Sequence, residues 1–124
     1  MMIISVGTDL VSIARFKQAM IRTDGFLKRV FTPDELKLEN GEPRAAISLA
    51  GIFAAKESIA KALGAPDGLS WQDCQIKYAD SGRPEVKVTG RIAEIASLKG
   101  ITNWHLSISH DAELAIAFVV AEGK

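Results

Sequence analysis

The stretch from Phe53 to Gly64 restricts the fold more than any other part of the chain. It continues an apolar run that starts after Pro43. Together they predict one long helix from about Arg44 to Leu63, closed by Gly64 as a left-handed C-terminal residue. At about 100° per residue, Ala46, Leu49, Phe53, Ala60 and Leu63 cluster on one face. Lys56 and Glu57 project within about 60° of Phe53, inside that apolar stripe. A carboxylate drawn partly out of water needs a cation, a metal ion or several donors. Lys61 follows Glu57 by four residues, in the favourable Glu-before-Lys order. Two more polar groups end apolar runs elsewhere, Asp9 near the N-terminus and His110 near the C-terminus. Polar groups that close separate apolar elements are what a site assembled by folding looks like.

The remaining segments supply the other layer. Residues 2–8 are β-branched and apolar and predict a buried strand ending at Asp9. Spacing over 10–22 predicts a helix, broken at Asp24-Gly25, with a helical turn near Phe26 to Val30. Thr32-Pro33-Asp34-Glu35 has the form of a helix start: Thr32 as N-cap, Pro33 as first residue, Glu35 completing a capping box. That short helix is expected to stop near Asn40-Gly41. Strands are predicted over 73–79 and 84–89 around a hairpin at Asp80 to Arg83, a helix over 91–99, and strands over 104–109 and 114–121. Helices grouped ahead of hairpins predict an α+β fold, a largely antiparallel sheet with one long helix packed on it.

Composition narrows the class. The chain has 124 residues, 48% hydrophobic and 24% charged, with a formal net charge of zero. This length suits one domain with one core, spanning 1–124. Zero charge gives no ground for nonspecific nucleic-acid binding or attachment to a membrane surface, so neither partner is expected. The local exception is the helix after Asp9, with Arg15, Lys17 and Arg22. The single cysteine, Cys74, excludes an intramolecular disulfide and fits a reducing cytoplasm. The N-terminus lacks a basic leader, and no run approaches the roughly 20 apolar residues of a membrane span. A soluble cytoplasmic protein is expected.

Three blocks carry a family resemblance. They are Val6 to Arg15 (with Gly7, Thr8 and Asp9), Ala50 to Gly64 (with Lys56, Glu57 and Lys61), and His105 to His110. Phe31 to Leu36, Gly82-Arg83-Pro84 and Ala117 to Glu122 also fit, in order and over essentially the whole length. With these blocks the chain resembles the holo-acyl-carrier-protein synthases of the 4′-phosphopantetheinyl transferase family. The resemblance implies an enzyme. The serine hydroxyl of an apo acyl carrier protein attacks the phosphate next to pantetheine in coenzyme A, and adenosine 3′,5′-bisphosphate leaves. It also implies Mg²⁺, a role in fatty acid biosynthesis, and a homotrimer with sites at subunit boundaries.

The residues suit that chemistry. Breaking a diphosphate spreads negative charge over phosphoryl oxygens, and catalysis is mostly placement and neutralisation. The resemblance makes Asp9 and Glu57 the metal carboxylates. Read without it, spacing alone favours Asp9 as simply an N-cap and Glu57 as a salt-bridged helix residue. Lys61 is expected to neutralise phosphate, or else to form a solvated helix pair worth about 0.3–0.5 kcal/mol. Glu57, directly or through a metal-held water, is the first candidate to take the serine proton. Ser109 and His110 are implied to meet coenzyme A phosphates, with a water-exposed strand end as the alternative. Arg83 and Pro84 are expected to line the nucleotide end, although a Gly-Arg-Pro hairpin is more often only a turn. Gly64 is expected to approach the cofactor. Arg15 and Arg22 with Met20 form a basic helical face that would steer an acidic carrier protein, or is equally an ordinary solvated face. His105 is given a surface or packing role, and Cys74, Trp71 and Trp104 packing roles. The chain departs from the family pattern at Ile52, where many members have arginine, and at Ala65-Pro66, where Thr-Gly is common. The second change stiffens the loop.

Overall fold

A computed structural model describes residues 1–124. The chain runs β1 (Met2–Ser12), α1 (Ile13–Arg22), α2 (Phe26–Val30), α3 (Ala46–Ala62), a 3₁₀ turn (Trp71–Asp73), β2 (Cys74–Tyr78), β3 (Pro84–Val88), α4 (Gly90–Leu98), β4 (Ile101–Asp111) and β5 (Leu114–Gly123). Two sheets form, one in the order β1-β5-β4 and one pairing β2 with β3. Every pairing is antiparallel, as expected for the α+β class.

Helix α3 lies across the inner face of the three-stranded sheet, against β1 and β5. The sequence of β5 explains how closely it approaches. Ala115, Ala117, Val119 and Ala121 recur with period two and are fully buried, so the inner face is paved with small side chains. Gly51, Ala54, Ala55 and Ala62 of α3 are equally small and buried. Gly7 of β1 is the tightest point, since a Cβ there would lie 2.0 Å from the carbonyl oxygen of Ser58. On the other side of α3, Phe16, Phe26, Phe31, Phe53 and Trp71 form a chain of ring contacts 5.4–6.0 Å between centroids.

Several expectations are corrected. α3 is not a one-striped helix: it is wrapped by sheet and aromatic layer, and Ile52, Ile59, Lys56 and Ser58 are buried along with Leu49. β1 continues through Asp9, which pairs with Ala117, so Asp9 sits inside a strand. α1 therefore begins at Ile13, and its N-cap is Ser12, whose hydroxyl accepts the Arg15 N–H. The backbone of β1 stays extended because β5 supplies partners as far as Ser12. At Thr32 the capping box forms, Glu35 Oε1 accepting the Thr32 N–H at 2.9 Å and Thr32 Oγ1 accepting the Glu35 N–H at 3.3 Å. No helix follows, because the chain reverses, with Lys37 bridging Pro43, and Arg44 takes the carbonyls of Glu35, Leu36 and Lys37. β4 and β5 extend beyond 104–109 and 114–121, because each lends the other its backbone partners along their length. They meet at Ala112 and Glu113, both left-handed (φ 50° and 63°). The Glu113 carbonyl accepts the Ile13 N–H at 3.1 Å, which ties this hairpin to the start of α1.

Candidate active site

Alternation along β1 sends Gly7, Asp9 and Val11 to the same face, toward α3. Gly7 rests on Ser58 and Ala62, the neighbours in sequence of Glu57 and Lys61. Two residues further along, Asp9 reaches the solvent edge of this contact. Its Oδ1 lies 2.9 Å from Lys61 Nζ, and the same ammonium donates to the Thr8 carbonyl at 3.1 Å. Lys61 thus pairs with Asp9 across the two elements rather than with Glu57 along its own helix. The pair lies at the rim, with the Lys61 side chain 52% and Asp9 17% exposed.

Glu57 is half-buried. Its pKa is raised, first by burial and then by the negative charge of Asp9, against the smaller opposing influence of Lys61. Lys61 is held more firmly protonated by its hydrogen bond and attraction to Asp9. Two carboxylates are thus held within electrostatic reach of each other, with one ammonium beside them. Excess negative charge in a partly desolvated place, presented on hard oxygens, is the donor chemistry of a divalent cation such as Mg²⁺. No third His, Cys, Asp or Glu joins them in a cluster, so water or substrate oxygens would complete any coordination shell.

Beside Glu57 opens a cavity of about 320 Å³, with an apolar wall of Ala60, Ala65, Pro66, Leu69, Trp71 and Ile92 and a polar side that includes Asp67 and Ser70. Pro66 and left-handed Ala65 (φ 50°) form one lip, directly after left-handed Gly64 (φ 85°). Ala65 closes α3 through its N–H to the Ala60 carbonyl at 2.8 Å, a geometry that costs a non-glycine residue on the order of 1 kcal/mol. The departure from Thr-Gly therefore gives an apolar, stiffened lip with no hydroxyl. Cys74 lies at the back of the cavity, its thiol pushed up to about 12 by burial, so it is no nucleophile at neutral pH. Ile52 is fully buried, so the position where the resemblance suggested arginine belongs to the core. A groove of about 790 Å³ lies elsewhere, against Lys37, Arg44 and Tyr78. Arg44 is committed there to the Glu35 and Lys37 carbonyls and stacks on Tyr78.

The fold gathers Asp9, Glu57 and Lys61, with Gly64 close by, its N–H donating to the Lys61 carbonyl at 3.0 Å, but sets Ser109, His110, Arg83 and Pro84 apart from them within one chain. His110 points to the inner face, its Nε2 3.0 Å from the Ile47 carbonyl and its ring over Gly51. Ile47 and Glu57 are ten residues apart on α3, so roughly 15 Å along its axis. Ser109, next in sequence, faces the opposite side of the sheet with Leu10 and Ile116. Arg83 is exposed in the β2–β3 hairpin, where its carbonyl accepts the Ala79 N–H at 2.9 Å, and Pro84 opens β3. Neither lines the cavity at Glu57. Arg15 and Arg22 are exposed on α1, with Met20 partly buried beside them. His105 sits on the outer sheet face 3.1 Å from Glu122.

Two residues escaped the sequence reading. Gly7 lay in a matching block without a role, and only the third dimension shows that its missing side chain sets the α3–β1 distance. Glu35 was read as a capping residue, yet its carboxylate also meets Lys56 Nζ at 2.7 Å in the interior. The signal for it was Lys56 itself, since a lysine in an apolar stretch calls for a distant acid.

Known proteins give the same family. The model of the 4′-phosphopantetheinyl transferase superfamily matches residues 5–119. The holo-[acyl-carrier-protein] synthase of Streptomyces avermitilis is 53% identical over 99% of this chain and 100% of its own. Among solved structures, the holo-ACP synthase of Plasmodium yoelii superposes with a TM-score of 0.85 at 33% identity, covering 99% of this chain and 97% of that one. The Helicobacter pylori holo-[acyl-carrier-protein] synthase in complex with coenzyme A gives 0.81 at 36%, covering 94% and 99%. No helix of this chain is long and apolar enough to cross a membrane. With a model match over nearly all of its length and a relative half identical from end to end, the chain belongs to the 4′-phosphopantetheinyl transferase superfamily and is an enzyme of its holo-[acyl-carrier-protein] synthase branch.

Proposed function

We propose that this single transferase domain moves the 4′-phosphopantetheine arm of coenzyme A onto a serine of an apo acyl carrier protein, with Asp9, Glu57 and Lys61 as its reaction centre. The observation that carries the reading is the convergence of these three side chains across the β1–α3 contact. The serine oxygen bonds to the phosphorus next to pantetheine as the bridging P–O bond of the diphosphate breaks. Adenosine 3′,5′-bisphosphate leaves with the electron pair. Glu57 takes the serine proton, directly or through a water, a role suited to a carboxylate whose proton affinity burial has raised. Lys61 neutralises charge on the departing phosphate. Asp9 and Glu57 together would hold Mg²⁺, which, when bound, supplies charge neutralisation on the diphosphate oxygens. The cavity beside Glu57, with its apolar wall, suits the arm of coenzyme A, and Gly64 lies directly before its Ala65-Pro66 lip.

Ser109, His110, Arg83 and Pro84 belong in this reading to the nucleotide end of the cofactor. Their distance from Glu57 within one chain favours a site completed by a neighbouring copy. Leu10, at 62% exposure, and Phe118, at 46%, share the outer sheet face with Val6 and Ile116, an apolar patch suited to association into a homotrimer. Arg15, Met20 and Arg22 would receive the acidic carrier. A cytoplasmic role in fatty acid biosynthesis follows from that partner.

The test mixes the protein with apo acyl carrier protein, coenzyme A and Mg²⁺ and weighs the carrier by mass spectrometry. Gain of the arm, lost in chelator, is expected. An unchanged carrier mass with folded protein would end the proposal. Light scattering checks the assembly, and a monomeric mass would rule out the shared site.

A further inference from the structure

We propose that the buried Lys56–Glu35 pair is a positioning device for Glu57, fixing the turn of α3 that presents it and the cavity wall it faces. The inference rests on the reading of Asp9 and Glu57 as a metal-holding pair. Lys56 and Glu35 side chains are 1% and 0% exposed, with Nζ to Oε1 at 2.7 Å. The ammonium also donates to the Val30 carbonyl at 2.7 Å and the Trp71 carbonyl at 3.1 Å, which uses all of its N–H donors. The carboxylate is equally committed. Oε1 accepts from Thr32 N–H at 2.9 Å, and Oε2 from Ile76 N–H at 2.7 Å. No buried side-chain nitrogen or oxygen is left without a partner. The end of α2, the turn after it, α3, the 3₁₀ turn and β2 are therefore bolted to one point.

A hydrophobic pair would fill the same space without desolvating two charges, so stability alone does not account for the arrangement. What the pair adds is direction. Apolar contacts leave a helix free to roll or slide slightly, whereas a fully bonded ammonium tolerates only a few tenths of an ångström. Glu57 is the next residue, about 100° around and 1.5 Å along. Its carboxylate is pushed away from Asp9 by like charge and has no bonded partner of its own among the side chains. Without the bolt, α3 relieves that repulsion by turning. The same ammonium holds the Trp71 carbonyl, and Trp71 is the cavity wall stacked on Phe53 at 5.4 Å. One buried charge thus sets both the carboxylate and the surface across from it.

The experiment measures Mn²⁺ binding by electron paramagnetic resonance on purified wild type, Glu57→Gln, Lys56→Met, and the double variant Lys56→Met with Glu35→Gln. The double variant leaves no buried charge and keeps one acceptor for the turn, so it is expected to fold with native circular dichroism and assembled mass. Positioning predicts Mn²⁺ affinity at least about 10-fold weaker in that folded double variant, in the range seen for residues that orient metal ligands. Wild-type affinity in the folded double variant overturns the inference and leaves the metal reading intact. A double variant that does not fold shows a requirement of folding alone and also overturns it. Absent Mn²⁺ binding in wild type, or unchanged binding in Glu57→Gln, refutes the metal reading itself and the inference with it.

Discussion

Helix α3 carries two lysines, and the regions around them differ in kind. Lys56 lies inside the molecule, 2.7 Å from Glu35, with every donor occupied by protein. Lys61 lies at the rim, 2.9 Å from Asp9 and half exposed. Both reach partners far away in sequence. In the interior, a charge without its partner is expensive, so the pair behaves as a fixed joint. At the rim, water screens the same attraction, so Lys61 is free to leave Asp9 for a more negative group such as a phosphate. The Glu57 carboxylate stands between the two regions. Its neighbour in sequence is fixed while its neighbour one turn on can exchange partners, a combination suited to a site that must be rigid on one side and bind an anion on the other.

Variants test this contrast, beginning with the largest effect. Glu57→Gln keeps the volume and removes the charge; transfer to the carrier is expected to fall on the order of 10³-fold, as loss of a group stabilising developing charge does. Carrier mass against time is the readout, and near-normal turnover would remove Glu57 from the centre. Lys56→Met alone strands the Glu35 carboxylate and is expected to cost about 3–5 kcal/mol in denaturant unfolding. Lys61→Met is expected to leave denaturant stability little changed, because water screens an exposed pair, while transfer still drops sharply. Similar stability losses for the two lysines would erase the distinction between joint and rim.

Gly7→Ala probes the contact that joins the regions. The new Cβ would meet the Ser58 carbonyl oxygen at 2.0 Å, and that oxygen is backbone, so β1 and α3 must separate. A loss of about 3 kcal/mol in calorimetric stability is expected, together with loss of transfer as Asp9 moves from Glu57. A variant as stable and active as wild type would show that the close approach is dispensable.

The smallest expected effect concerns protons. Glu57 has a raised pKa in the folded chain, so the folded state favours its protonated form. That contribution to stability is present below the unfolded pKa and is lost as pH rises through the raised folded value. Metal-free wild type should therefore lose stability relative to Glu57→Gln over that interval, and the difference should shrink when Mg²⁺ is added. Paired melting curves in chelator across pH measure it, and parallel curves for the two proteins would show an ordinary solvated carboxylate.

Much of this was legible in the chain. Period-two alternation in Trp104, Leu106 and Ile108 gave a real strand, and the Asp80 to Arg83 turn gave a real hairpin. Asp9, Glu57 and Lys61 were singled out together. The end of β1 was misplaced because Leu10 to Met20 carries helical spacing, whereas pairing with β5 keeps residues up to Ser12 extended. The helix expected at Thr32 failed for a similar reason. Its local capping signal was genuine, but Arg44 takes the Glu35, Leu36 and Lys37 carbonyls that a following helical turn would have used.

By itself, the sequence determined the class of fold, the long apolar helix and the presence of charged side chains within apolar runs, because periodicity, caps and motif blocks are local properties written residue by residue. Only the tertiary structure decided which charges meet. Lys61 chose Asp9 over Glu57, Lys56 chose Glu35, and His110 went to the far end of α3. Such choices depend on the approach of elements far apart in the chain, which Gly7 and the alanines of β5 control through the space they leave empty, and empty space has no signature in a one-dimensional pattern.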